Sequence, residues 1–370
     1  MKKIVVRSSG CEQRNLDAVY WERLAVANRD YIIQEPWNAD IIIYVSCCVS
    51  EYATLISIKE IENLYDQAPL AKVIVYGCLP GICEFDLRRK GIYTYTVMQK
   101  GKMIHDMGWT IPVDYPVLTK SDNYESSNIN SVTPRQEFDY AKKSKKLIIS
   151  DGCLNHCTYC VIRYSTGSLK SKSIAQIKAE WNANITSGDT VMLMGGDTGA
   201  YGLDIGTNLP SLLRELLEEE ADVRVYLHDL NIRWMNTYLE SFCQVIRDFS
   251  CIRGLTLPIQ SGSDTILKQM NRNYCAADII KCFGQIRISR PDAIVGTHII
   301  VGFPNESDFD MAQTISCLKQ IKPDFISCFP YSEHSMALSA QYFPKITAEE
   351  VVKRIAILKD NFGILVKVYS

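Results

Sequence analysis

Three cysteines stand in one short stretch, Asp151-Gly152-Cys153-Leu154-Asn155-His156-Cys157-Thr158-Tyr159-Cys160, spaced CxxxCxxC. Thiolates are soft ligands that suit an iron–sulfur cluster or zinc, but a structural zinc site takes four protein ligands at tighter paired spacing. Three thiolates fit a [4Fe-4S] cluster with one iron left open. His156 could be nominated as a fourth ligand, but its place next to Cys157 turns it away from a site the cysteines share, so it reads as a loop residue. Three further cysteines each close an apolar run: KKIVVRSSGC ends at Cys11, ADIIIYVSC at Cys47 and AKVIVYGC at Cys78. Cys48 follows Cys47 directly and offers the same approach to within one residue.

The elements that must position these thiols can be read from periodicity. In the first ninety or so residues the apolar runs alternate with helical patterns over Leu16–Arg29 and Thr54–Tyr65, which predicts strand, helix, strand, helix, strand and hence a parallel α/β sheet. Such sheets gather ligands at the carboxyl ends of their strands, so Cys11, Cys47 and Cys78 should converge at one edge. From Val113 to Lys146 Ser, Asn, Asp, Pro and Lys dominate, ending in KKSKK, which reads as a linker with a solvated basic end. From Leu147 six strand-like runs follow, KLIIS, TVMLMGG, VRVYLH, IRGLTLPIQ, AIVGTHIIVGFP and FISCFPYS. Helical patterns lie between them at Ile174–Ser187, Ser211–Glu220 and Ala276–Ser289, and a last helix is expected over Thr347–Val366. Six βα units in about 185 residues suit a partial (β/α)6 barrel better than the full eight-stranded one of about 250. The expected organisation is an α/β domain over 1–112, a linker over 113–146, the partial barrel over 147–335 and a helical segment over 336–370.

Composition narrows the setting. Hydrophobic residues make up 47% of the 370, enough to bury a core, and no run approaches the roughly 18 apolar residues of a membrane span. The first ten residues lack the apolar stretch of a secretory signal, so a cytoplasmic protein is expected. Fourteen cysteines in a reducing compartment point to metal ligation. Forty basic against 42 acidic residues give a net charge of −2, so no global field draws the chain to nucleic acid. No Ser-His-Asp set or carboxylate pair stands out for acid–base work.

The sequence resembles the radical S-adenosylmethionine enzymes and, within them, the methylthiotransferases, over nearly its whole length. The resemblance is carried by the CxxxCxxC loop, by Leu257-Pro258-Ile259-Gln260-Ser261-Gly262-Ser263 with Leu267 to Arg272, by Ile299-Ile300-Val301-Gly302-Phe303-Pro304 with Glu306, and by Cys11, Cys47 and Cys78 with Asn15 and Asp17. It implies two [4Fe-4S] clusters and S-adenosylmethionine as cofactors. Cys153, Cys157 and Cys160 would hold the catalytic cluster, and Cys11, Cys47 and Cys78 an auxiliary one in the methylthiotransferase N-terminal domain. It implies cleavage of S-adenosylmethionine to a 5′-deoxyadenosyl radical, hydrogen removal from an unactivated carbon, sulfur delivery from the auxiliary cluster and methylation by a second S-adenosylmethionine. Cofactor contacts implied in the same way are Tyr159 beside the cluster, Gly195, Gly196 and Asp197 at the amino group, and Gln260, Ser261, Val301, Gly302 and Phe303 along the cofactor. For the glycines a tight turn, and for Val301 and Phe303 barrel core, are the plainer readings. An electron donor such as flavodoxin or ferredoxin is implied as partner. Cys83, Cys243, Cys251, Cys275, Cys282, Cys317 and Cys328 lack such spacing and read as small buried hydrophobes.

The match departs at strand ends. Arg163 and Thr166-Gly167 stand where the family has Pro and Arg-Gly, His298 where it has an acid, and His334 and Met336-Ala337 where it has Arg and Gly-Thr. Relatives that modify transfer RNA or a ribosomal protein carry a small β-barrel (TRAM) after the last helix, and the sequence given stops at Ser370. With the near-neutral charge, this favours a peptide, such as a natural-product precursor, or a small molecule as substrate over nucleic acid. The alternatives are a tRNA methylthiotransferase acting without TRAM, sulfur insertion without methylation, and a non-catalytic iron–sulfur protein for electron transfer or sensing.

Overall fold

Ile41-Ile42-Ile43-Tyr44-Val45 has no polar alternation, the pattern of a strand covered on both faces, and it forms the centre of a parallel sheet. The computed structural model describes residues 1–114, 144–218 and 222–369. They fall into two units. The first holds residues 1–114 with Cys160–Gly167 and His334–Met336, and the second holds the other described residues.

The first unit contains β1 (Lys3–Ser8), β2 (Tyr31–Ile32), β3 (Ile41–Ser46), β4 (Lys72–Gly77) and β5 (Tyr93–Thr96), all parallel in the order β2-β1-β3-β4-β5. The two helices expected from the pattern lie at Glu12–Ala27 and Glu51–Gln67. Successive side chains face opposite ways. Ile4, Val6, Ile43 and Tyr76 therefore pack with Trp21 and Leu24 on one face, while Val5, Ile42, Tyr44 and Val75 pack with Ile61 and Leu64 on the other. The chain leaves β1 toward β2 but leaves β3 toward β4, so the order reverses between β1 and β3. A crevice outside the carboxyl ends of strands at such a reversal is where open α/β sheets bind ligands.

The second unit contains β6 (Lys145–Ile148), β7 (Ser150–Asp151), β8 (Lys170–Ser171), β9 (Thr190–Met194), β10 (Arg224–Leu227), β11 (Ile252–Thr256), β12 (Ile294–Val301), β13 (Phe325–Pro330) and β14 (Val366–Val368). Seven of these form a parallel sheet in the order β14-β13-β12-β11-β10-β9-β6. The six expected strands are all present, and β14 adds a seventh beside β13. The last helix is corrected accordingly. It spans Ala348–Phe362 and stops because Gly363 takes φ +56°, a left-handed backbone that continues no α-helix, and the chain then turns into β14. Helices at Ile174–Asn184, Leu209–Leu217 and Ala276–Ser289 meet the expected patterns, with Glu219 and Glu220 of the second lying outside the described residues. Most of the linker expected over 113–146 also lies outside them, and its last residues Lys145 and Lys146 already belong to β6. Among the described residues no helix is long and apolar enough to cross a membrane.

Candidate iron–sulfur and cofactor site

At the carboxyl edge of the first sheet, three helix starts carry the thiols. Cys11 is the N-cap of Glu12–Ala27, Cys47 and Cys48 precede Glu51–Gln67, and Cys78 precedes the helix Pro80–Arg89. Helix N-termini carry partial positive charge and favour thiolates. The thiols meet as the topology requires: those of Cys47 and Cys11 are hydrogen-bonded to each other, as are those of Cys48 and Cys78. Both adjacent thiols, Cys47 and Cys48, therefore stand at the group of sulfurs. The bond with Cys11 and then burial push the Cys47 thiol well up, and the bond with Cys78 and then burial do the same for Cys48. Cys78 moves the other way, pulled down first by its bond with Cys48 and further by the Arg14 guanidinium.

Arg14 is the residue that cysteine spacing did not reveal. It is 1% exposed and pairs with Asp17 at 2.8 Å. Burial works against its charge, yet Asp17, Cys78 and Cys11 hold its pKa well above the ordinary value. A buried cation beside gathered thiols is what an anionic iron–sulfur cluster needs. The surrounding backbone is pinned: Ser57 Oγ donates to the Cys47 carbonyl at 2.9 Å, the Cys78 amide donates to the Ser46 carbonyl at 3.1 Å, and Ser165 Oγ donates to the Cys78 carbonyl.

In the second unit, β7 and β8 pair antiparallel, Ser150 with Ser171 and Asp151 with Lys170, and bracket the start and return of the CxxxCxxC segment. Cys153 Sγ accepts from the Asn155 backbone amide and from Asn155 Nδ2, both at 3.3 Å. Cys157 Sγ accepts from Arg272 Nη1 at 3.4 Å. Such donors to sulfur are among the groups that set iron–sulfur potentials. Burial and then the Asp197 charge push the Cys153 thiol up to about 12, so a thiolate there calls for a bound cation. The donors and the soft ligand set fit an iron–sulfur cluster. Cys160 is half-buried, and His156 is exposed, as expected of a loop residue.

Arg272 was legible as part of the Met270-Asn271-Arg272 run but not as a neighbour of the loop. Its guanidinium also lies 3.4 Å from the Tyr159 hydroxyl and donates to the Pro258 carbonyl at 2.7 Å. Tyr159 packs against the cluster of Ile266, Met270 and Phe303. Gly195 and Gly196 follow β9, and a Cβ on Gly196 would come within 2.3 Å of the Gly152 carbonyl, so only glycine allows this approach to the cysteine loop. Asp197 is 3% exposed and accepts from Trp234 Nε1 at 2.7 Å and Asn155 Nδ2 at 2.5 Å. Burial raises its pKa to about 6.

The remaining implied contacts divide. Gln260 sits at φ +67° with its amide donating to the His298 carbonyl and its own carbonyl accepting from Ile300, both at 2.9 Å. The Ser261 hydroxyl is engaged by Thr314 Oγ1 at 3.2 Å and by the Ser263 amide at 3.1 Å. The Gly302 amide donates to Glu306 Oε2 at 2.8 Å, and Glu306 pairs with buried Arg354 at the same distance. Val301 and Phe303 are 1% and 0% exposed, and Phe303 packs edge-on against Tyr331 at 5.4 Å. Of the cysteines read as buried hydrophobes, Cys243, Cys282, Cys317 and Cys328 are buried, while Cys83, Cys251 and Cys275 are half-buried. Cys275 additionally caps the helix Ala276–Ser289, with Sγ donating to Asp278 Oδ2 at 3.2 Å.

Parallel sheets with cysteines gathered past strand ends and a soft-ligand loop are the parts an iron–sulfur protein needs. Residues 147–318 match the Radical SAM superfamily, and residues 3–97 match Uncharacterized protein family UPF0004. The chain is 29% identical over 350 residues to the probable threonylcarbamoyladenosine tRNA methylthiotransferase of Pyrococcus abyssi, covering 92% of this chain and 80% of the relative. It is 28% identical over 368 residues to the tRNA-2-methylthio-N(6)-dimethylallyladenosine synthase of Thermodesulfovibrio yellowstonii, covering 97% and 83%. The fold resembles the radical S-adenosylmethionine methyltransferase TsrM of Kitasatospora setae, with TM-score 0.62 and 12% identity over 89% of this chain and 73% of that one. The chain belongs to the radical S-adenosylmethionine methylthiotransferase family, whose cofactors are [4Fe-4S] clusters and S-adenosylmethionine.

Proposed function

We propose that the chain places a methylthio group on an N6-modified adenosine of transfer RNA. The observation that carries this reading is that tRNA methylthiotransferases align with both units, over 92% or more of the chain in the two relatives described. The peptide or small-molecule reading rested on the stop of the given sequence at Ser370 before a TRAM domain and on a net charge of −2; where the given sequence ends does not decide the substrate, and an average charge does not describe the local surface at a substrate mouth. The proposed partners are therefore tRNA and a low-potential donor such as flavodoxin or ferredoxin, in the cytosol.

In this reading Cys153, Cys157 and Cys160 hold one cluster, and Cys11, Cys47 and Cys78 hold the other with Cys48 beside them. When bound, the clusters and S-adenosylmethionine supply hydrogen abstraction, sulfur and the methyl group. The chain's own part is to orient and tune. Arg272 and Asn155 donate to loop sulfurs, Arg14 offsets negative charge at the other thiols, and Tyr159 covers the loop. Asp197, held by Trp234 and Asn155, accepts from the cofactor's ammonium.

That last role has a pH signature. With its pKa raised to about 6, Asp197 is a carboxylate above that pH and neutral below it. A neutral acid is a poorer acceptor for an ammonium group, so S-adenosylmethionine binding should weaken as pH falls through about 6, by up to about tenfold per unit. Calorimetric titration across this range checks it, and Asp197→Asn should bind weakly with the pH dependence gone. The substrate is tested by incubating reconstituted protein, S-adenosylmethionine and a low-potential reductant with tRNA carrying N6-threonylcarbamoyladenosine, then digesting and weighing the nucleosides. The expected product gains one sulfur and one CH2. A gain of sulfur alone would establish insertion without methylation, and modification of a peptide pool but not of tRNA would overturn the tRNA reading.

A further inference from the structure

The second unit holds a group of metal-ligand side chains that the radical chemistry does not use. His228 and Asp229 directly follow β10, and His298 lies within β12 opposite Ser327 of β13. β11 separates the two strands in the sheet. Consecutive residues of an extended chain point to opposite faces. Asp229 escapes that rule by taking φ +57°, and its carboxylate comes back against the neighbouring ring, Oδ2 to His228 Nδ1 at 2.9 Å. Its other oxygen, Oδ1, lies 3.9 Å from His298 Nδ1.

The spacing accommodates a metal ion as well as an ion pair. A separation of 3.9 Å is too long for a hydrogen bond. Donors about 2.0–2.2 Å from a common ion lie roughly 3–4 Å from one another, which covers both distances. One donor atom from each of the three residues lies within 4.8 Å of the others. The rings are mutually tilted with centroids 5.8 Å apart, and Phe329 packs edge-on against His298 at 5.4 Å, fixing that ring from the side. His228 and His298 side chains are 7% and 12% exposed, while Asp229 at 30% keeps the group open to an entering ion. The resemblance to the methylthiotransferases places an acid at position 298, so the second imidazole is a feature of this chain.

We propose that His228, Asp229 and His298 bind a divalent first-row transition-metal ion. Two imidazoles and one carboxylate suit Zn2+, Fe2+ or Co2+ better than Mg2+ or Ca2+, which prefer all-oxygen sets. Three protein ligands leave further positions for water or a substrate oxygen, as in reactive rather than structural sites. The inference concerns binding alone and stands whether or not tRNA is the substrate.

Co2+ is a suitable probe, because iron in the clusters does not interfere at the cobalt absorption edge. Cluster-reconstituted full-length protein, stripped of adventitious metal by chelator and desalted, would be titrated with Co2+, and bound cobalt counted per chain. The expected result is one tightly held Co2+ whose X-ray absorption shows only nitrogen and oxygen neighbours with the outer-shell scattering of two imidazoles. His228→Asn and His298→Gln should each weaken binding at least tenfold while cluster iron stays at the wild-type level. Should either variant fail to fold, the wild-type spectrum decides alone. Sulfur neighbours would place the cobalt on cysteines and overturn the proposal, as would absence of binding or binding untouched in both variants.

Discussion

Replacing Cys153, Cys157 and Cys160 together by alanine is expected to abolish release of 5′-deoxyadenosine and to lower the iron content from about eight to about four per chain. The expectation follows from where the thiols stand. Cys153 and Cys157 accept bonds from Asn155 and Arg272 within the second unit, while Cys11, Cys47, Cys48 and Cys78 converge on a separate sheet edge in the first. Loss of the loop thiols should therefore leave the other set able to assemble its cluster. Iron and acid-labile sulfide measured after anaerobic reconstitution check the point. Iron falling to zero would show that the two sets do not load independently, and about four irons in both wild type and variant would show that the loop held none.

The second large effect concerns Arg14. Arg14→Met keeps similar length but strips the cation from Asp17, whose side chain is 3% exposed and whose next cation, Lys100, stands 3.6 Å away. Removing one partner of a buried pair typically costs about 3–5 kcal/mol, because the remaining charge is left without compensation. The same change removes the positive charge that Cys78 and Cys11 feel, so the first unit should also lose its iron. Urea unfolding followed by circular dichroism measures the stability, and iron analysis the cluster. The double variant Arg14→Met with Asp17→Asn should recover part of the stability, since the stranded charge is gone, but not the iron. Full recovery of both would reduce Arg14 to a purely structural role.

The sequence showed the strands that end in chemistry and missed those that do not. Runs such as Ile41 to Val45 and Ile74 to Tyr76 are long, β-branched and bounded by turn residues, so their type and place could be read, and with them the convergence of the cysteines. Edge strands β2, β5 and β14 have two, four and three residues, too few for any period to show. They form because a neighbouring strand offers unpaired backbone groups, which is tertiary information. The buried cations were missed for a related reason: Arg14 and Arg272 look like ordinary surface residues until the fold puts thiols and carboxylates around them. His228, Asp229 and His298 were legible only as a departure at position 298, since the other two join it through a left-handed turn that no spacing rule foretells.

The proposal that this radical methylthiotransferase acts on tRNA is tested most directly by comparing wild type with the Cys11, Cys47 and Cys78 triple alanine variant on tRNA bearing N6-threonylcarbamoyladenosine, with 5′-deoxyadenosine and digested nucleosides measured in the same reaction. The expected result is that both proteins release 5′-deoxyadenosine but only the wild type yields the methylthiolated nucleoside. Wild-type protein that cleaves S-adenosylmethionine and leaves every nucleoside unchanged would contradict the account.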